Sequence, residues 1–185
     1  MAVIPAARAD EVADALDAGR AAYGKGDSLR ALLALQKAGN ALATRLGSQL
    51  AAFLPPPLPG WDAGPADTQP LDAIGGGLRV ARGFQHGDAS LNVAIVIDNP
   101  AVAAASALFR PQAPEASGPS WSRVSIDGGD ALLRYDATQR DGEVVMIISE
   151  RALLQVEGSE IAKSDDLLST ARSWNFAGIR KLLAQ

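Results

Sequence analysis

The sequence predicts an α+β protein: an N-terminal helical hairpin, a proline-rich elbow, then an antiparallel sheet of about six strands with additional helices. Two observations carry this. Apolar residues recur at helical spacing as far as Phe53 and at a period of two from Leu78 onward. Between the two regions lies Leu54-Pro55-Pro56-Pro57-Leu58-Pro59-Gly60-Trp61, which can be neither helix interior nor central strand.

Asp10 to Phe53 reads as the hairpin. Val12, Leu16, Gly19 and Tyr23 share one helical face, with Asp10, Glu11 and Asp14 in or near the first turn, where the helix dipole favours them. Gly24-Lys25-Gly26 stops that helix, and Asp27 or Ser28 caps the next. Leu35, Leu42, Leu46, Leu50 and Phe53 form the stripe of the second helix, which ends before Pro55. A lone hairpin must bury its stripe, and the following sheet is the expected cover. Residues 55–77 are expected to be an elbow and linker, with Gly75-Gly76-Gly77 a flexible lead-in to the first strand.

Leu78, Val80, Phe84 and then Leu91, Val93, Ile95, Ile97 alternate on either side of Gly87-Asp88. Opposing His86 to Ala89 pairs Phe84 with Leu91 and Val80 with Ile95. Asn99 caps a short helix that has Pro100 at its first position. A Pro/Gly/Ser-rich loop is expected from 111 to 120. Further strands follow at 121–127, 130–136, 143–149 and 152–157. Opposing Asp127 to Asp130 around Gly128-Gly129 places Arg123 directly across from Arg134. Tracing parity onward puts Val144, Met146 and Ile148 on one face and Val145, Ile147, Leu154 and Val156 on the other. Strands apolar on both sides predict a sheet covered on both faces. Two short helices close the chain, around Leu167–Ala171 and from Phe176 on.

Composition bounds the function. The 185 residues carry a net charge of −4, with no run of Lys or Arg, which argues against a nucleic-acid groove. No apolar stretch reaches the roughly 20 residues of a membrane span. Without cysteine there is no disulfide, thiolate nucleophile or Cys-based zinc site, and with one histidine a site of two imidazoles cannot form in one chain. No cofactor fingerprint is present. Ala7-Arg8-Ala9 before Asp10 looks like the end of a secretory signal, so residues 1–9 are expected to be its remnant or a disordered start, and the protein to be periplasmic or otherwise exported.

Five residues are candidates for binding a ligand or partner: Arg123, Arg134, Trp121, Trp61 and His86. Two arginines beside a tryptophan suit a small anion or a partner's carboxylate. Trp61 beside the prolines suits a docking surface. His86 with Asp88 and Ser90 lies within one hairpin and lacks the geometry of a catalytic triad. Asp127, Asp130, Asp136, Asp141 and Glu143 sit where tight turns want acidic residues and do not match a calcium loop. No residue is assigned a catalytic or metal role.

Tyr23-Gly24-Lys25-Gly26-Asp27 with Ala31, Leu35 and Ala38 resembles one tetratricopeptide hairpin, without the repeats such a solenoid needs. The Leu54–Trp61 run, with Gly75–Gly77, Tyr135-Asp136, Gly142-Glu143 and Val156-Glu157-Gly158, resembles a group of uncharacterised exported bacterial proteins. The element order over residues 54–185 more distantly resembles the PsbP-like α/β/α sandwich. That resemblance implies a binding, assembly or accessory protein without catalytic residues, and carries over no functional residue. The expected function is a non-catalytic exported module that binds a protein or small ligand. The alternatives are an anion binder at Arg123/Arg134 and a hydrolase using His86 with carboxylates.

Overall fold

A computed structural model describes residues 10–110 and 121–184. The signal-like start at residues 1–9 and the loop expected at 111–120 lie outside the described residues. The chain divides into two compact units, Met1–Leu46 and Gly47–Gln185.

In the first unit, α1 (Glu11–Gly24) is capped by the Asp10 carboxylate, which accepts from the Val12 amide at 3.2 Å. In α2 (Ser28–Ala51) the Asp27 carboxylate accepts from the Arg30 amide at 3.0 Å, as the sequence predicts. The two helices meet through small residues rather than the leucine stripe. Ala15, Gly19, Ala31 and Ala38 are buried, and a Cβ at Gly19 would stand 3.5 Å from Ala34 and Leu35. Lys37–Glu11 and Arg45–Asp10 ion pairs bridge one flank. The expected stripe residues Leu16, Tyr23, Leu35 and Leu42 are exposed, at 45%, 76%, 53% and 48%. The alanines allow an approach so close that the larger side chains are displaced from the contact.

The second unit is built on a seven-stranded antiparallel sheet, in the order β1-β2-β3-β7-β6-β5-β4. Its strands are β1 (Asp62–Pro70), β2 (Leu78–His86), β3 (Ala89–Ile97), β4 (Ser122–Ile126), β5 (Gly129–Asp136), β6 (Asp141–Ser149) and β7 (Ala152–Ser159). The β2–β3 register is the predicted one, with His86 facing Ala89 and Phe84 facing Leu91. β1 falls in the segment expected to be linker. Its sequence, DAGPADTQP, has little strand propensity, but as an edge strand it tolerates Pro65 and Pro70, and the pairing shifts between Ala63 and Ala66.

Two registers differ from expectation. The β4–β5 turn is Asp127-Gly128, both with positive φ (52° and 73°), so Ile126 faces Gly129 and Arg123 faces Leu132 rather than Arg134. The β6–β7 ladder shifts between Ile147 and Ser149. One extra residue reverses side-chain parity beyond it. Val156 therefore faces Val144 and Leu154 faces Met146, on one face instead of two.

Helices lie on both sheet faces. α4 (Ser164–Arg172) packs against β6 and β7, seating Leu167 over Gly142 and Gly158, which face each other across the ladder. α5 (Phe176–Leu183) follows, with Phe176 and Ile179 buried and Arg180 paired with Asp127 at 2.7 Å. On the opposite face, α3 (Pro100–Leu108) begins at the predicted Asn99 cap and buries Val102 with Leu71, Val96, Val145 and Leu153. Gly75–Gly77 is not a flexible lead-in. All three glycines have positive φ, and the Asn99 side chain donates to the carbonyls of Ile74 (3.1 Å) and Gly76 (2.6 Å).

Candidate functional site

α3 covers only one end of its sheet face. At the other end the face is open, and a groove of about 1050 Å³ runs across β1, β2, β3, β7, β6 and β5. The parity that points Val145 and Leu153 under α3 sends Glu143, Glu157 and Asn92 into this groove. The expectation of a sheet covered on both faces therefore holds for one face and half of the other. The change follows the side chains: Val96, Val145 and Leu153 lie under the helix, and Ser90, Asn92, Glu143 and Glu157 beyond it.

The floor is a cross-strand row. Arg134 faces Glu143, Glu143 faces Glu157, Glu157 faces Asn92 and Asn92 faces Gly83. Arg134 Nη2 donates to Glu143 Oε2 at 3.1 Å, and Gln155 Nε2 lies 3.5 Å from Glu143 Oε1. Asn92 Nδ2 lies 3.5 Å from Glu157 Oε2. The Arg134 guanidinium also sits over the Trp121 ring, 5.0 Å from its centroid, so Trp121 closes the row toward α3. Gly83 leaves the far end clear, since a Cβ there would meet nothing within 4 Å.

Directly opposed carboxylates repel, because facing Cβ atoms in a ladder lie only about 4.5–5.5 Å apart. The Glu143 side chain is 17% exposed. Its burial raises its pKa above the ordinary value of 4.5, and the Glu157 charge adds to the rise against the pull of Arg134 and Gln155. The folded protein thus keeps the Glu143 proton at pH values where the unfolded chain has released it. Stability from this group is present below 4.5 and lost as pH rises through the folded value. Asp98 works the other way: two 2.7 Å hydrogen bonds from Arg151 hold its pKa down. The difference between wild type and Glu143→Gln isolates the Glu143 contribution. On raising the pH from 4.5 toward neutrality, the urea midpoint of Glu143→Gln should rise relative to wild type. A constant difference would show that Glu143 titrates normally.

The residues singled out from sequence are distributed among three places. Arg134 lines the groove, and Trp121 stacks on it. Arg123 is engaged elsewhere, 2.6 Å from Asp130 and 2.9 Å from the Phe109 carbonyl oxygen. Trp61 and His86 meet at the end of β2, their ring centroids 5.5 Å apart. The groove lining includes Asp62, Asp136, Asp141, Glu143 and Glu157 against the single guanidinium of Arg134. No protein-family model, curated protein or solved structure matches this chain. Among the described residues, no group of three or more acidic, His or Cys side chains could hold a metal ion. The turn carboxylates have protein partners: Asp127 has Arg180, Asp130 has Arg123, and Asp136 accepts from the amides of Thr138 and Gln139.

No motif in the sequence marks Glu157 or Asn92, and Glu143 reads only as a turn carboxylate. The available signal is that three strands with apolar centres turn polar toward one end, at Ser90 and Asn92, at Asp141 and Glu143, and at Gln155 and Glu157. The bulge before Ser149 hid it by placing Glu143 and Glu157 on opposite faces of the expected sheet.

Proposed function

We propose that this chain is a non-catalytic exported binding module whose ligand lies along the groove and carries an amine or guanidinium group. The lining charge carries the reading: five carboxylates and one guanidinium, the latter already paired with Glu143. An acidic, partly desolvated cleft attracts and orients cations. Asn92, Ser90 and Gln85 add neutral hydrogen-bonding groups for the rest of the molecule. Both Arg123 and Arg134 have carboxylate partners, which disfavours a small anion at that pair. His86 lies outside the groove lining, so the carboxylates there have no imidazole to relay a proton. The resemblance of residues 54–185 to PsbP-like proteins supports a binding role, and Ala7-Arg8-Ala9 supports export.

Spermidine and arginine amide should raise the melting temperature at low ionic strength and lose that effect as salt is added, while citrate should have no effect. Glu157→Gln should weaken spermidine binding about tenfold or more, the scale of one hydrogen bond to a charged group. Gly83→Trp should abolish it with little change in the stability of the free protein, because a Cβ at this position meets nothing within 4 Å and Gly83 lines the groove. Stabilisation by citrate and not by spermidine would sink the proposal, as would undiminished spermidine binding by Gly83→Trp.

A further inference from the structure

Resting on the cationic ligand class already proposed for the groove, we infer that it is a two-ended site for an extended peptide segment. One basic side chain sits at Asp62 and a second between Asp141 and Glu157, with neutral residues of the peptide lying across β2 and β3. All of these groups belong to one compact unit, Gly47–Gln185.

The ladders fix where the charges stand. Beside the row from Arg134 to Gly83 runs a second row on the same face, two residues further along each strand. Asp62 faces Gln85, Gln85 faces Ser90 and Ser90 faces Ser159. Ser159 and Asp141 follow the Gly158–Gly142 pair, and Asp141 faces Asp136. Carboxylates therefore stand at both ends of the groove, while its polar side chains on β2 and β3 are the neutral Gln85, Ser90 and Asn92. Neighbouring strands lie about 4.8 Å apart, which puts Asp62 about 14 Å from the strand of Glu157 and about 19 Å from that of Asp141. Glu143 is already paired with Arg134, and Asp136 accepts from the amides of Thr138 and Gln139. The Asp62 and Asp141 carboxylates have no hydrogen-bond or ion-pair partner among the described residues, and Glu157 has only the 3.5 Å contact from Asn92. Asp141 and Glu157 are diagonal neighbours, about 7–8 Å apart at the backbone, so one guanidinium fits between them.

A feature independent of charge places a chain between the two ends. Gly83 lies in the middle of β2 on the groove floor, where glycine weakens a strand. Its φ is not positive and a Cβ there would meet nothing within 4 Å, so neither backbone conformation nor packing requires glycine at this position. Gly64 of β1 lines the groove beside it. Together they leave the floor bare next to Asp62, where a second backbone can approach closely. Gln85 gives its side-chain nitrogen to the Gly87 carbonyl at 3.0 Å, which leaves its carbonyl oxygen and the Ser90 hydroxyl for peptide amides. A polyamine would set its central charge over these neutral groups; a peptide with two basic residues and neutral ones between them would not. An extended peptide advances about 3.3 Å per residue, so basic residues four to six positions apart span the two ends.

Two pentapeptides of identical composition and charge isolate the spacing. Both are acetylated and amidated; one has arginine at each end of three serines, and its isomer has the two arginines adjacent. Titration calorimetry of the full chain at low salt should show the spaced peptide binding about fivefold more tightly, the scale of one additional exposed ion pair. Asp62→Asn should bring the spaced peptide down to the level of its isomer and leave the isomer nearly unchanged, and Asp62→Glu should restore the preference. Asp62 is exposed, so these substitutions leave the fold intact. Equal affinities of the two isomers for wild type would overturn the inference, as would an equal loss for both in Asp62→Asn. If spermidine still binds in either case, the cationic groove stands and only the two-ended site falls. Binding of spermidine with no binding of either peptide also overturns it and leaves the groove to a polyamine. If neither peptide nor spermidine binds, both readings fall together.

Discussion

Replacing Gly77 by alanine should destabilise the sheet unit by about 3–5 kcal/mol, and Gly76→Ala by about 1 kcal/mol, although the two glycines are adjacent and both left-handed. Their φ angles are nearly equal, 87° and 89°, both in the positive range that L side chains rarely adopt, so a substitution is strained at either. The surroundings differ. A Cβ at Gly76 would meet nothing within 4 Å, whereas one at Gly77 would collide with the carbonyl oxygen of Ile97 and stand 2.7 Å from that of Asp98. Those atoms are backbone, at the end of β3 and the start of the turn into α3, and cannot rotate away as a side chain would. Displacing them would disturb the Asp98 backbone, held by its amide to the Arg151 carbonyl, and the Asn99 clamp on Ile74 and Gly76. The melting temperature of Gly77→Ala should fall by on the order of 10 °C. Equal losses for the two variants would show that the loop yields freely and that backbone conformation alone sets the cost.

The sequence is most legible where local chemistry decides the structure. Asn99-Pro100 starts α3, Asp27 caps α2, and Gly87-Asp88 sets the β2–β3 register, each through a side chain or dihedral preference acting within a few residues. It is least legible where one residue changes the count. Val144 and Val145 are both buried, so the apolar pattern of β6 fits either parity, and the bulge before Ser149 could not be read from it. That single residue decides whether Glu143 and Glu157 share a face. A comparable ambiguity at Asp127-Gly128-Gly129, where either dipeptide makes a tight turn, moved Arg123 two residues away from Arg134. β1 escaped notice because an edge strand is selected partly for what it must not do: its prolines and bulge keep a neighbour from pairing with it. In the hairpin, the large residues suggest the contact and the small ones make it, since close approach rewards the missing side chain of Gly19 and the single methyl groups of Ala15 and Ala31.

The seat of α4 should behave as a single packing unit, so that two damaging substitutions together cost no more than either alone. Leu167 is fully buried over Gly158, whose missing Cβ would lie 3.0 Å from Leu167 Cδ2, 3.0 Å from Leu91 Cδ2 and 2.8 Å from Ile161 Cδ1. All three neighbours are buried at 2% exposure or less, so none has room to retreat. Gly158→Val should therefore cost about 3 kcal/mol by overpacking, despite valine's preference for strands. Leu167→Ala should cost about 3 kcal/mol through the cavity it leaves. The valine adds three carbon atoms on the sheet side of the space from which the leucine removes three on the helix side. The double variant should then lose about 3 kcal/mol rather than the roughly 6 kcal/mol of independent sites. Urea unfolding of the four proteins measures the coupling directly, with the circular dichroism of α4 and α5 as a check that the helices stay in place. Strict additivity would mean that Leu167 and Gly158 do not share this space, and that the glycine pair in β6 and β7 serves some other end than seating the helix.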